Sequence, residues 1–262
     1  MKVKVAVLQY EVPEDTEASF KKLDEMVGQA AWNGVKLIVA PETAVGSSKE
    51  LNEKDVNHFP RLTEIAKNHK VYLATSYYTK KDGKIYDQGY IISPDGKSVL
   101  SHRKMYPAKP EIEDIGVLAG DKLKVRRTEI GKLGMLICKD GFNKYSHFLY
   151  ETLNQLGAEI ICIPTWSLGW KELDTQEYVK ALYVYGAFAS RAFILMSGNL
   201  NKSTNSYGRS LIISPVRGVI KEGSVDHKEI LTEEIDLDEV EDARKFDSWW
   251  QPEENVEIKK LQ

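Results

Sequence analysis

The chain has 262 residues, 42% of them hydrophobic, and its 36 basic and 39 acidic side chains leave a formal net charge of -3. That is enough apolar material for a substantial core, and both signs of charge run along the whole length, so neither a polybasic nucleic-acid face nor an acidic tail stands out. Two cysteines, Cys138 and Cys162, make neither a disulfide framework nor a zinc site, and no segment approaches the roughly 18 apolar residues of a membrane span.

These totals predict a soluble cytoplasmic protein whose partner is a small molecule, with no nucleic acid and no membrane. No linker divides the chain, so residues 1–262 read as one domain. The first expected element is a strand at VKVAVLQ. A helix from about Thr16 follows, with Phe20, Leu23, Val27, Ala30 and Ala31 on one face, ending near Gly34. KLIVA is a short strand buried on both sides that stops at Pro41 and Glu42. A second helix, about Phe59 to Lys70, leads into the strand VYLATSYY.

From Thr79 to His102 the turn signals KKDGK and SPDGK separate the β-rich runs IYDQGYIIS and SVLSH, which predicts consecutive hairpins and hence a mixed sheet. Alternation then returns: the strand LGMLI, a helix over Tyr145 to Leu156, the strand EIICIP, a helix over Asp174 to Ala192, and the strand FILMSGN. Two more strands, about SYGRSLIIS and KEILTEEID, precede a charged tail after Asp238 that is expected to pack outside. The class is α/β.

Apolar strands in open α/β sheets present their carboxyl ends as a rim where ligand crevices form. Three reactive residues occupy such ends: Glu42 after KLIVAP, Lys104 after SVLSHR and Cys138 after LGMLI. Each alone has an ordinary explanation. A cysteine after an apolar strand is usually core packing, as Cys162 within EIICIP is read; a Glu after Pro is usually a turn residue, and a Lys beside Arg103 is usually surface. The functional expectation rests on the combination, and it requires the three strands to bring their ends together.

Glu42 in IVAPET, Lys104 in SHRKMYP and Cys138 in LGMLICKDG resemble, in order and spacing, the Glu-Lys-Cys triad motifs of the nitrilase superfamily, the carbon-nitrogen hydrolases. VAVLQ, LAGD, LGAEIICIPT, SRAFILMSGN and GRSLIISPVRGVI look like that family's framework segments, so the resemblance spans nearly the whole chain. It implies a four-layer α-β-β-α sandwich of two mixed sheets, and a hydrolase for a small amide, free of metal and cofactor. Cys138 is then the nucleophile that forms a thioester, Glu42 the general base and Lys104 the stabiliser of the oxyanion, aided by the backbone N–H of Lys139.

Many family members add a second glutamate between the Lys and the Cys. KPEIEDIGVLAGD offers Glu111 and Glu113, and counting back from the glycine of LAGD selects Glu113. The run CKDGFNKYSHF departs from the family in placing Lys139 where an aromatic residue is common and Lys144-Tyr145 where Pro-Glu would fall. Asp140 resembles the amidase and carbamoylase branches more than the nitrilases. Lys139, Asp140 and Trp166 are expected to contact substrate, with Trp170 beside them.

Three other readings stand beside this one: a nitrilase, a cysteine-histidine hydrolase using His147 or His102 as base, and a non-catalytic binding subunit on the same fold. Nucleotide binding has no support, since neither GxxxxGK[ST] nor GxGxxG occurs. The resemblance also implies a homodimer or larger assembly. The predicted helix bearing Tyr178, Leu182, Tyr185 and Phe188 carries apolar surface for it, although core packing accounts for those residues equally well.

Overall fold

A computed structural model describes residues 1–167, 175–201 and 206–248. The strands are β1 (Lys2–Gln9), β2 (Leu37–Val39), β3 (Tyr72–Lys81), β4 (Lys84–Ile92), β5 (Ser98–Arg103) and β6 (Val125–Thr128), then β7 (Gly131–Met135), β8 (Ile160–Pro164), β9 (Phe193–Ser197), β10 (Leu211–Ser214), β11 (Gly218–Glu222) and β12 (Glu229–Asp236). They form two six-stranded sheets, ordered β12-β1-β2-β3-β4-β5 and β11-β10-β9-β8-β7-β6. In each, a parallel centre is flanked by antiparallel strands: β1-β2-β3 run parallel in the first and β7-β8-β9 in the second.

The helices are α1 (Thr16–Trp32), α2 (Phe59–His69), α3 (Ser146–Gln155), α4 (Gln176–Ser190) and α5 (Asp238–Ser248). The central strands are apolar on both faces because each face meets a different layer. In β1, Val3, Val5 and Val7 point into the core between the sheets, while Ala6 and Leu8 join the cluster built with Phe20, Leu23 and Val27 of α1. In β8, Ile160 and Cys162 face the other sheet, and Ile161 and Ile163 face Leu149 and Leu153 of α3. Each buried Val, Leu, Ile or Phe among these contributes about 1.5–3 kcal/mol through removal from water. The result is the α-β-β-α sandwich.

Local signals set the helix ends. Asp15 caps α1, its carboxylate accepting the Ala18 N–H at 2.8 Å, and α2 carries a proline in its first turn. The hairpins β3-β4 and β4-β5 lie where their turn residues placed them.

Three features differ from the sequence expectation. β6 and β11 were not foreseen: both are short edge strands, one of them the largely polar VRRT, with little hydrophobic alternation to mark them. The charged segment from Asp238 folds as a helix, α5, whose Val240 and Ala243 are buried. The helix expected from Asp174 begins at Gln176 among the described residues, since Asp174 and Trp170 lie outside them. No helix among the described residues is long and apolar enough to cross a membrane.

Candidate active site

Glu42, Lys104 and Cys138 do meet, but not by adjacency in one sheet. β2 and β5 are separated by β3 and β4, and β7 belongs to the opposite sheet. The ends converge because the two sheets pack face to face, so the first sheet delivers the carboxylate and the ammonium and the second delivers the thiol. All three line a cavity of about 570 Å³, together with Glu111, Tyr78 and Trp166. That volume suits a small molecule.

Each loop is stitched in place. Beyond β2, the Pro41 carbonyl accepts from Thr75 Oγ1 at 3.1 Å and the Thr43 N–H donates to Ser76 Oγ at 3.1 Å, so β3 holds Glu42 from both sides. Beyond β5, the Lys104 N–H donates to the Asp87 carbonyl at 3.0 Å and its carbonyl accepts from Gly120 N–H at 2.8 Å. Gly120 is the glycine of LAGD, and a Cβ there would stand 2.3 Å from the Arg103 carbonyl oxygen, so only glycine permits this approach. Beyond β7, the chain turns into a single 3-10 turn, Cys138–Gly141.

Cys138 itself has φ +46°, a left-handed conformation that a non-glycine residue holds only when its surroundings impose it. The imposition comes from Asp140. Its Oδ1 accepts from the backbone N–H groups of Met105 and Tyr106 at 3.0 and 2.8 Å, and its Oδ2 from the Ile137 N–H at 3.1 Å and from His102 Nε2 at 2.9 Å. One fully buried carboxylate therefore ties the segment after Lys104 to the turn bearing Cys138.

At the centre stands the Lys104 ammonium, 2% exposed. It donates to Glu42 Oε1 at 2.5 Å and to Glu111 Oε2 at 2.7 Å, with Asp87 Oδ2 farther off at 3.8 Å. Carboxylate oxygens of Glu42, Asp87 and Glu111 lie within 4.8 Å of one another, a donor set able to hold a cation, and the cation they surround is Lys104. Burial by itself depresses an ammonium, but the surrounding carboxylates, Glu42 foremost, raise the Lys104 pKa well above its ordinary value. The same burial, with Glu42 beside it, pushes the Cys138 thiol well up against the opposing pull of Lys104 and the Trp166 N–H. Burial thus favours the thiol form of Cys138 over the thiolate.

Glu42 Oε2 accepts the backbone N–H of Trp166 at 2.8 Å, which fixes the carboxylate's second oxygen. Glu111 sits in a π-helical turn, Glu111–Ile115, where Oε2 also accepts the Ala108 N–H and Oε1 accepts the Tyr78 hydroxyl at 3.2 Å. Burial raises the Glu111 carboxyl and Lys104 opposes the rise.

The glutamate selected from the sequence is therefore corrected. Glu113 is 59% exposed and pairs at 3.7 Å with Lys109, while Glu111 reaches Lys104. An offset counted along the sequence does not say which acid of the turn faces inward, and in Glu111–Ile115 the inward one is Glu111. Two expected substrate contacts are corrected as well. Lys139 donates to the Pro107 carbonyl at 3.3 Å and is not among the cavity walls, and Asp140 is consumed by its four donors behind the cavity. Trp166 does line it.

His102, one candidate base, is buried against Asp140, and His147 lies exposed on α3, so neither reaches Cys138's cavity. Tyr78 and Asp87 escaped the sequence reading. The signal for Asp87 was present, an acid inside the strand run IYDQGYIIS.

A family model described as carbon-nitrogen hydrolase matches residues 4–245. Among known proteins, the chain is 25% identical over 256 residues to deaminated glutathione amidase of Dictyostelium discoideum, covering 87% of this chain and 86% of that one. It is 26% identical over 295 residues to Nitrilase 3 of Arabidopsis thaliana, covering 93% and 82%. Among solved structures, Saccharomyces cerevisiae Nit3, a member of branch 10 of the nitrilase superfamily, is similar with a TM-score of 0.83 at 21% identity, over 95% of this chain and 96% of that one. That last likeness is one of fold.

Proposed function

The chain belongs to the carbon-nitrogen hydrolase family, and from that premise we propose that it hydrolyses a small amide through a thioester on Cys138, releasing ammonia or an amine. The observation that carries this reading is the Lys104 ammonium held at 2.5 and 2.7 Å between Glu42 and Glu111 in the cavity that Cys138 also lines.

Because burial disfavours the thiolate, attack calls for a base at the moment of bond formation. Glu42 takes the thiol proton as sulfur adds to the carbonyl carbon. Negative charge gathers on the substrate oxygen, where the Lys104 ammonium and the backbone N–H of Lys139 receive it. Removing one such donor commonly costs about 10²- to 10³-fold. Glu42 passes its proton to the departing nitrogen, the C–N bond breaks, and the thioester remains. Water then gives a proton to Glu42 and its oxygen to the acyl carbon, and the C–S bond breaks to return the thiol and a carboxylic acid.

Glu111 orients Lys104 and narrows the cavity, with Tyr78 fixing Glu111 in turn. The choice of an amide draws support from the relative named an amidase and from aspartate at position 140. On the same footing we place the protein in the cytoplasm, where two free buried cysteines persist reduced.

Mass spectrometry of the Glu42→Gln protein incubated with amides should reveal an acyl adduct on Cys138, since loss of the base slows deacylation. Turnover by the native protein with no adduct under any trapping condition would end the covalent reading. Ammonia release across a panel of amides, nitriles and N-carbamoyl compounds should be fastest with an amide, and activity on nitriles alone would overturn that choice.

A further inference from the structure

Asp87 lies in β4 opposite Tyr78 of β3, completely buried; among the described residues no N–H or O–H donor meets either of its carboxyl oxygens, and the Glu42 carboxylate stands where only a protonated Asp87 could hydrogen-bond to it. Orphaned carboxyl oxygens in a dry interior are rare, because an ionised group there has lost its water and gained nothing in return. The nearest cation, Lys104 Nζ, stays 3.8 Å away, outside hydrogen-bonding range, although the Lys104 backbone N–H is fixed to the Asp87 carbonyl at 3.0 Å. Asp87 is not among the cavity walls. It stands behind Lys104.

We propose that Asp87 is a positioning residue of this site, a carboxyl group that keeps its proton through the neutral range and thereby leaves the third N–H of Lys104 free for the substrate's oxygen. The groups facing it are Glu42, Lys104, Glu111 and Tyr78. Two N–H bonds of the ammonium are committed to Glu42 and Glu111. An ionised Asp87 would draw in the third and turn it from the cavity, and it would set one ammonium among three negative charges. Burial, the Glu42 and Glu111 charges and a hydrogen bond from the protonated Asp87 to Glu42 all push the Asp87 carboxyl well above the usual carboxylate range, against Lys104 alone. A protonated Asp87 neither competes for Lys104 nor opposes the charge that develops on the substrate.

The catalytic consequence rests on the hydrolase reading above, but the protonation is measured without turnover. Infrared spectra of the native protein, isotopically labelled at the aspartate carboxyls, should show a protonated carboxylic-acid band at neutral pH that is lost in Asp87→Asn. In the pH profile of kcat/KM, the native alkaline limb should move upward in Asp87→Asn by at least about one pH unit, about tenfold more activity at a fixed alkaline pH relative to the optimum. Absence of the acid band in the native protein overturns the proposal. So does its survival in Asp87→Asn, or a folded Asp87→Asn protein whose alkaline limb has not moved. Should Asp87→Asn fail to fold, a folded Asp87→Ser protein takes its place, where survival of the band overturns the proposal, and a protein inactive on every amide leaves that test intact.

Discussion

Asp140 accepts the ring N–H of His102 at 2.9 Å while receiving backbone N–H groups from both sides of the site, at Met105, Tyr106 and Ile137. Every lone pair of this carboxylate that matters is aimed at a donor. In Asp140→Asn, whichever way the amide is turned, its NH₂ group faces two N–H donors. The loss of stability should be on the order of 3 kcal/mol, or roughly 10 °C in Tm. Because the clamp fixes both Lys104 and Cys138, kcat/KM should fall about 10²-fold even well below the new Tm. Calorimetry with kinetics on the folded variant separates the two effects, and intact kcat/KM beside a lowered Tm would reduce Asp140 to a purely structural role.

Two glutamates two positions apart should behave oppositely. Glu111→Gln breaks the charge-assisted bond to Lys104 and should lower kcat/KM about 10²-fold or more. Glu113→Gln, at an exposed position whose partner is Lys109, should stay within about twofold of the native protein and within about 0.5 kcal/mol in stability. Equal effects at the two positions would contradict the geometry.

That contrast shows where the sequence was readable. Strand and helix identities followed from apolar periodicity and turn residues, and Glu42, Lys104 and Cys138 stood out because each follows a predicted strand in a segment that resembles a family motif. What stayed hidden depended on the third dimension. Nothing local says that β2 and β5 belong to one sheet and β7 to another, or that Lys139 points away from the substrate cavity. Asp140 reads as a substrate contact until its four donors are seen. Edge strands such as β6 and β11 bury too little to imprint a pattern, and a residue count could not tell which acid of the Glu111–Ile115 turn faces inward.

Glu42→Gln should divide alkylation from turnover. Glu42 holds the Cys138 thiol up and Lys104 pulls it down, so removing the carboxylate lowers the thiol's pKa. Thiolate is then more abundant at any given pH, and reaction with iodoacetamide, which needs only thiolate, should persist or quicken. Amide hydrolysis, which needs the base, should drop about 10²- to 10⁴-fold. Parallel loss of both would mean that Glu42 serves chiefly to shape the cavity.

Stability should decline in alkali. The buried Cys162 thiol, without a charged partner, is raised by burial from its ordinary 9.0. A group raised in the folded state contributes its full stability below the unfolded value, and that share is lost as pH climbs toward the folded one. Above pH ~9 the unfolded chain alone releases the proton, so unfolding gains about 1.4 kcal/mol per pH unit from this thiol. Cys162→Ala is less stable at neutral pH through lost packing, but its urea-unfolding free energy should fall less steeply between pH 9 and 10, on the order of 1 kcal/mol less over that interval. Parallel slopes for the two proteins would mean the thiol ionises without cost in the core.

The face of α4 that the sequence left open between core and interface points outward. Its inner side is Tyr183, Gly186, Ala187 and Ser190, whereas Tyr178, Tyr185 and Phe188 are 75%, 47% and 51% exposed. Neighbouring α3 adds Phe148 and, at its start, Tyr145, both exposed. A stable interface takes about 800 Å² from each partner, more than three rings supply, so both helices should take part when a second copy covers this face. Sedimentation should find the native protein as a dimer or larger, and Tyr185→Glu with Phe188→Glu should drive it to monomers while Cys138 stays reactive to iodoacetamide. A native protein that sediments as a monomer at working concentration would leave these rings exposed for some other reason and remove the self-association proposal.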